Sequence, residues 1–256
     1  MKILKFKKQS KDKYKLYLDN NSDITLYEDV IIKNNLLITK EISDELLEAL
    51  KKQNNDMYAY TLALGYISVK MRSIKEINDY LIKKGFNNLV ANKVSERLIK
   101  EGYLNDLKYA KSFINDSMNL TNKGPKKIKM ELIKYGVNKD IIESEIALID
   151  QRKVEEKLNK LIDKELKIKK GSQNAIKIKI INHFVNLGYS KDLVTSILTS
   201  KEITSDKSKL KKDYAKLYNK YKVKYNGQEL LYFISQKLYS KGYTASDIKE
   251  VLKEEN

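Results

Sequence analysis

A glycine that recurs at a nearly constant interval is the feature that most limits how this chain can fold. Gly85, Gly136, Gly188 and Gly242 follow one another at similar distances along the chain. The positions four and eight residues before each glycine are apolar, and side chains four residues apart share one face of a helix. These positions are Leu81, Leu132, Phe184 and Leu238, and Ile77, Ile128, Ile180 and Ile234. A period of about fifty residues indicates tandem structural repeats.

The residues that follow each glycine predict the end of one helix and the start of another. An apolar or aromatic residue comes first, and Asn, Ser or Thr comes second. Glycine adopts the left-handed conformation that ends a helix, and the apolar residue can then pack back onto the last turn. Asn, Ser and Thr cap the next helix. The pairs are Phe86 and Asn87, Val137 and Asn138, Tyr189 and Ser190, and Tyr243 and Thr244.

A further segment with helical spacing precedes each of these helix pairs, so we predict three helices in each repeat. In the first two repeats, Ser73 and Gly124 mark the turn before the second helix and lie equally far ahead of the corner glycine. In the last two, Gly171 and Gly227 lie farther ahead of it, which predicts a longer second helix. The predicted fold class is mainly α, with about four tandem three-helix repeats in an elongated, curved array.

The N-terminal residues follow a different pattern. In "KILKFKK" and "KYKLYLD" apolar and charged residues alternate, which is typical of half-buried strands, and "DNNSD" is a turn cluster. We therefore predict a small β-containing segment at residues 1–42. The repeats are predicted at 43–104, with a linking helix, and at 105–149, 150–200 and 206–253.

The residue composition argues against an enzyme. There is no cysteine and one histidine, which excludes metal sites of the usual Cys/His kind. His183 aligns with polar residues of the other repeats, so we expect it to be exposed. No phosphate-binding glycine loop is present. We expect no catalytic residues, cofactor, metal or small-molecule ligand. No apolar run suggests a signal peptide or membrane span, so a cytoplasmic protein is expected.

Three stretches resemble the RecX family, the regulators of the RecA recombinase. They are "MRSIKEINDYLIKKGF", "RLIKEGYLNDLKYAKSFI" and "NKGPKKIKMELIKYGV", and they cover about residues 70–137. The matching residues are Arg72, Ser73, Glu76, Gly85 and Phe86, then Gly102, Tyr103, Leu104, Asp106, Tyr109 and Ala110, then Gly124, Leu132, Gly136 and Val137. Over residues 150–252 only the repeat pattern persists. In the second stretch, we expect Asp106 to cap a helix whose Tyr109, Ala110 and Phe113 face the core; contact of Tyr103 and Tyr109 with a partner is the alternative.

The resemblance implies tandem three-helix repeats and a partner, the RecA filament on DNA. It implies that the protein binds this filament, along its helical groove, and damps its growth and its recombinase activity. Direct contact with single- or double-stranded DNA is a further expectation, as is a monomer that does not bind membranes. A sequence-independent nucleic-acid-binding repeat protein without a recombinase partner is the alternative.

The positive charge indicates where a partner could bind. Lys and Arg number 51 and Asp and Glu 34, so the formal net charge is +17, which favours polyanions or acidic protein surfaces. Lysines cluster at residues 123–134 and 164–179, although a solvated helix face explains such clusters equally well. The candidate partner- or DNA-binding residues are Arg72, Lys123, Lys126, Lys127, Lys129, Lys167, Lys169, Lys170, Lys177 and Lys179.

Overall fold

In the computed structural model, which describes residues 1–254, the chain is mainly helical and begins with one small antiparallel sheet. The predicted fold class of tandem three-helix repeats is confirmed. Among the described residues, none of the helices combines the length and apolarity that crossing a bilayer requires.

The N-terminal segment forms three strands in the order β1-β2-β3, followed by two short helices. Leu16 and Leu18 of β2 are buried and alternate with more exposed residues, as the sequence pattern predicts. Together with Leu26 of β3 they pack against both short helices and the start of α3. The bounds are β1 Ile3–Lys8, β2 Lys13–Leu18, β3 Asp23–Tyr27, α1 Glu28–Lys33 and α2 Leu36–Thr39.

In the rest of the described chain, helices follow in four groups of three. They are α3 Asp44–Ile67, α4 Ile74–Lys83 and α5 Asn88–Lys100; α6 Asp106–Leu120, α7 Pro125–Lys134 and α8 Lys139–Ala147; α9 Gln151–Ile168, α10 Gln173–Asn186 and α11 Lys191–Thr199; α12 Lys207–Tyr221, α13 Gly227–Ser240 and α14 Ala245–Glu254. The second helix has 10 residues in α4 and α7 and 14 in α10 and α13. The predicted lengthening is therefore confirmed.

The glycine corners form as predicted. All four glycines are left-handed, with φ between +77° and +96°. After three of them, the next N–H donates to the carbonyl four residues before the glycine: Phe86 to Leu81, Tyr189 to Phe184 and Tyr243 to Leu238. Asn87, Asn138, Ser190 and Thr244 each accept a backbone N–H of the following helix. The four aligned isoleucines, Ile77, Ile128, Ile180 and Ile234, are fully buried.

Two compact units can be distinguished in the chain. Unit 1 comprises Met1–Ala110 with Ile133–Ile141, and unit 2 comprises Lys111–Leu132 with Ile142 onward. Unit 1 contains one hydrophobic cluster under the sheet and one among α3, α4 and α5. Unit 2 contains one cluster in the third repeat and one in the fourth.

Two predicted details need correction. Asn105, and not Asp106, caps α6, because its side-chain oxygen accepts the N–H of Lys108 at 2.9 Å. Asp106 instead accepts the N–H of Ile74 at the start of α4, in the preceding repeat.

The third repeat's equivalent of Ser73 is Ser172 rather than Gly171, since Ser172 is the residue that caps α10. The exposed position predicted for His183 is confirmed.

Candidate partner and nucleic-acid surface

The start of each of the helices α4, α7 and α10 packs against the glycine corner of the following repeat, a contact that we call an inter-repeat joint. In unit 1, the Ser73 hydroxyl donates to the carbonyl of Tyr135 at 2.6 Å. In unit 2, the Ser172 hydroxyl donates to the carbonyl of Lys241 at 2.6 Å. The Gly124 N–H makes the equivalent bond to Leu187 at 2.7 Å. In each joint the acceptor directly precedes the corner glycine, so the same contact is made three times.

The joints explain why three of the corners leave no room for a side chain. A Cβ on Gly136 would lie 2.6 Å from the side chain of Lys75, and one on Gly242 would lie 2.8 Å from that of Asn174. A Cβ on Gly188 would overlap the backbone of Lys127. Gly85, at the first corner, has no described atom within 4 Å of such a Cβ. The close approach is therefore a property of the joints and not of the corner alone.

The resemblance residues near Arg72 form one buried cluster in unit 1. The Arg72 guanidinium stacks on the Tyr66 ring at 3.8 Å and donates to the Glu76 carboxylate at 3.2 Å. Glu76 also accepts the Ser73 N–H at 3.0 Å and a hydrogen bond from Tyr109. Burial raises the pKa of Tyr109 and also that of Asp106. With 11% of its side chain exposed, Arg72 has a packing role, and its place in a partner surface stays a prediction.

The predicted lysines of unit 2 differ in what they contact. Three are held in ion pairs: Lys123 with Glu131 at 2.5 Å, Lys129 with Glu143 at 3.3 Å and Lys169 with Glu165 at 2.9 Å. Lys126, Lys167, Lys170 and Lys179 are exposed, while Lys127 and Lys177 are half-buried. The structure brings Lys170 and Lys179 together, because the Lys179 ammonium donates to the Lys170 carbonyl at 3.3 Å. Their binding role remains a prediction.

Two of the predicted lysines lie in the first turn of a helix. The N-terminal end of a helix carries a partial positive charge, so an acidic residue there stabilises the helix by about 0.3–1 kcal/mol and a lysine does not. The first turns of α4 and α13 contain Glu76 and Glu229, whereas those of α7 and α10 contain no acid. Lys126 and Lys127 lie in the first turn of α7. Helix stability does not account for two lysines at this position, and α5, α9 and α12 also begin without an acid in their first turn.

Sequence reasoning missed most of a second set of basic residues, on the first helix of the third repeat; of this set, only Lys164 lies in a predicted lysine cluster. Lys153, Lys157, Lys160 and Lys164 of α9 line one groove of about 790 Å³ in unit 2, together with residues of α6. The Lys157 ammonium donates to the carbonyls of Ser117 and Lys123, at 3.3 and 3.2 Å. Burial lowers the pKa of Lys157. Their spacing of four, three and four residues was the available signal, since it places them on one helix face.

Known proteins resemble this chain in both sequence and fold. Models of the first and second three-helix domains of RecX match residues 59–98 and 105–144. A crystal structure of a regulatory protein RecX superposes with a TM-score of 0.68 at 22% identity and covers 78% of this chain and 99% of that one. The crystal structure of RecX from Lactobacillus salivarius gives 0.53 at 28% identity, with 57% and 96% covered.

Full-length relatives come from Gram-positive bacteria. The regulatory protein RecX of Staphylococcus aureus is 27% identical over 255 residues, which is 98% of this chain and 94% of the relative. The regulatory protein RecX of Streptococcus uberis is 36% identical over 259 residues, which is 99% of each chain. Because this identity extends over both units, the chain belongs to the RecX family of regulatory proteins.

Proposed function

We propose that this protein binds the filament that the RecA recombinase forms on DNA and limits filament growth, ATP hydrolysis and strand exchange. Membership of a regulatory family and the resemblance at residues 70–137 support this partner. The protein would act in the cytoplasm, as a monomer and without enzymatic activity of its own.

The observation that carries the proposal is the repetition of one joint. Because Ser73, Gly124 and Ser172 each donate a hydrogen bond to the residue before the next corner glycine, each joint relates neighbouring repeats by equivalent contacts. A partner that presents the same site many times can then engage several repeats of one molecule, and modest contacts add up through effective concentration. A filament is such a partner, whereas a single recombinase subunit is not.

The test is recombinase ATPase activity on single-stranded DNA, measured with increasing amounts of this protein. We expect suppression at amounts well below those that would cover the DNA, and no ATP hydrolysis by the protein alone. Suppression only when the protein is abundant enough to coat all the DNA would indicate competition for DNA. The sequence-independent nucleic-acid-binding alternative would then replace the proposal.

Charge reversal tests which lysines take part. We choose Lys126→Glu, Lys167→Glu and Lys170→Glu in one variant, because these side chains are exposed. Lys127 and Lys169 are left unchanged because one packs on Gly188 and the other pairs with Glu165. We expect weaker filament binding with a flatter salt dependence. The control variant carries Lys5→Glu, Lys7→Glu and Lys11→Glu in the N-terminal segment and has the same net charge. Equal binding by both variants would argue for a solvated lysine surface.

A further inference from the structure

The lysine groove of unit 2, defined by Lys153, Lys157, Lys160 and Lys164 of α9, has a use that recombinase binding does not require. The four lysines extend over about 16 Å of one helix face, at about 1.5 Å of rise per residue. They line a single groove of about 790 Å³ rather than separate surface patches. The groove therefore presents a row of positive charge of defined length.

This row works against helix stability. Like charges three or four residues apart destabilise a helix by about 0.2–0.5 kcal/mol for each pair. Among residues 1–254, no ion pair within 4 Å neutralises Lys153, Lys160 or Lys164. Two acids of the same helix are paired elsewhere, Asp163 with Lys201 at 2.6 Å and Glu165 with Lys169 at 2.9 Å. Glu156 of the same helix, three residues from Lys153 and four from Lys160, offsets part of this charge, and the row keeps a net positive charge.

Lys157 holds the two walls of the groove together. Its ammonium donates to the carbonyl of Ser117 at 3.3 Å, near the end of α6, and to that of Lys123 at 3.2 Å. Both acceptors are neutral, so the charge of Lys157 is hydrogen-bonded but not cancelled. It lies between Lys153 and Lys160 and links the row to α6.

The opposite wall is rich in amides. Asn115, Asn119 and Asn122 line it, with a hydrogen bond of 2.9 Å between the first two. Three carboxylates also line the groove: Glu145 lies 3.7 Å from Lys111, Asp150 caps α9, and Glu156 lies on α9 within the lysine row. Five lysines, the row and Lys111, outnumber them. Ammonium and amide groups are the donors that bind phosphate oxygens in nucleic-acid complexes.

We propose that this groove binds the phosphodiester backbone of single-stranded nucleic acid directly, in the absence of the recombinase. A flexible single strand can follow a groove between two helices, whereas a duplex carries its phosphates on a stiff, wide cylinder. Leu120 and Leu148 line the groove with 79% and 75% of their surface exposed and can contact bases. No aromatic side chain of the described residues lines it, so binding should show little base preference.

The test compares full-length proteins binding a labelled oligothymidylate at several salt concentrations. The groove variant carries Lys153→Gln, Lys160→Gln and Lys164→Gln and keeps Lys157, which contacts α6. The control variant carries Lys212→Gln, Lys216→Gln and Lys220→Gln, three exposed lysines of α12, the first helix of the next repeat. Because each phosphate contact adds about 0.7 to the slope of log K against log salt, we expect the groove variant to lose about 2 from the slope. Its affinity at low salt should fall about tenfold or more, and the control should stay near wild type.

Three outcomes would overturn the proposal. They are an unchanged slope, an equal loss in both variants, and a loss confined to the recombinase filament with oligothymidylate binding intact. The last would assign the groove to an acidic protein surface. Circular dichroism of both variants checks that the helices are intact. The result does not depend on the ATPase assay, so failure of the proposed regulation and failure of this site can be told apart.

Discussion

Two serines show how a single side chain can join neighbouring repeats. The Ser73 hydroxyl caps α4 by accepting the N–H of Glu76, and it donates to the carbonyl of Tyr135 in the next repeat. The Ser172 hydroxyl likewise accepts the N–H of Ala175 and donates to the carbonyl of Lys241. A hydroxyl has one donor and two acceptor positions, so it can meet both demands. Where Gly124 takes this place, its backbone N–H makes the bond instead.

At this scale, we predict that Gly188→Ala destabilises the protein more than Gly85→Ala. Both residues have positive φ, so an alanine is strained at either position. Only at Gly188 would the added Cβ also overlap the neighbouring joint, at Lys127. Such overpacking adds about 1–3 kcal/mol to the loss of unfolding free energy. Urea denaturation followed by circular dichroism measures the difference. Equal losses of unfolding free energy would show that the joint accommodates the added Cβ without further destabilisation.

A second residue-scale prediction concerns acid stability through Asp213 of α12. Burial alone would raise the pKa of this carboxylate, but hydrogen bonds from Lys241 and Tyr243, both 2.9 Å long, outweigh it and hold its pKa below the usual value. The unfolded state then binds more protons near the usual pKa of about 3.9. The stabilisation is complete above that pH and is lost as the pH falls through the folded-state pKa.

We therefore expect Asp213→Asn to lower the unfolding free energy by about 1.5–3 kcal/mol near neutral pH, the range for hydrogen bonds to charged groups. The difference from wild type should shrink as the pH falls through the folded-state pKa, below the usual value of about 3.9, because the carboxylate then becomes protonated in the wild type as well. Urea titrations at a series of pH values, from neutral downward, measure it. A difference that is independent of pH would mean that packing, and not the charge, is what Asp213 contributes.

At the scale of the helices, the first residues of α4, α7 and α10 meet the next repeat in different ways. The Ile74 N–H donates to Asp106 at 2.9 Å, and the Gln173 N–H donates to Ser205 at 3.0 Å. In both cases the acceptor precedes or begins the first helix of the next repeat. In α7 this position is Pro125, the only proline of the chain, which has no N–H. The proline thus occupies the one joint at which no side-chain acceptor is needed.

We predict that Asp106→Ala costs about 1–3 kcal/mol of unfolding free energy, because it leaves the Ile74 N–H without its acceptor. Asp106→Asn keeps a side-chain oxygen at the same place, so it should lower the unfolding free energy by less than Asp106→Ala does. Chemical denaturation of the two variants measures this order. If alanine and asparagine are equally destabilising, the hydrogen bond across the joint is not what Asp106 supplies.

The longer second helices of the last two repeats keep the same buried face. Ser172 and Asn226 each stand four positions farther from their corner glycine than Ser73 and Gly124 stand from theirs. This difference is close to one helical turn, which takes about 3.6 residues. Ile180 and Ile234 therefore keep the buried position of Ile77 and Ile128.

For the whole molecule, we predict that the fourth repeat can be removed without unfolding the rest. Its core, which includes Leu210, Ile234 and Val251, is a cluster separate from that of the third repeat. Terminal units of repeat proteins contact only one neighbour. A chain that ends before Asp206 should remain helical by circular dichroism and suppress recombinase ATPase more weakly than the full chain. Full suppression by the shortened chain would show that the fourth repeat is not part of the partner-binding surface.

The domain limits at 42, 104, 149 and 200 remain a prediction at this scale. Limited proteolysis tests them, since cleavage should concentrate in the turns between repeats rather than within the helices. Stable fragments that end inside α6 or α9 would contradict these limits.

The sequence alone determined the repeat, the corner and the caps, because these depend on residues close together in the chain. A left-handed glycine, an apolar residue packed on the preceding turn and an Asn, Ser or Thr cap are all local requirements, so Gly85 and Asn87 can be interpreted without a neighbour. The buried isoleucines follow from helical spacing in the same way. The short strands at Ile3–Lys8 and Lys13–Leu18 follow from alternation.

The tertiary structure decided what those elements contact. Asp106 has the local pattern of a helix cap, yet its carboxylate accepts the N–H of Ile74, which lies in the preceding repeat. Arg72 has the pattern of an exposed charge, yet it stacks on Tyr66. Lysines of one cluster divide into paired and exposed side chains, because carboxylates such as Glu143 reach them from another helix. Such contacts depend on which helix faces meet, and many lysine-rich faces have the same local pattern. For that reason the groove along α9 became visible only when α6 was placed beside it.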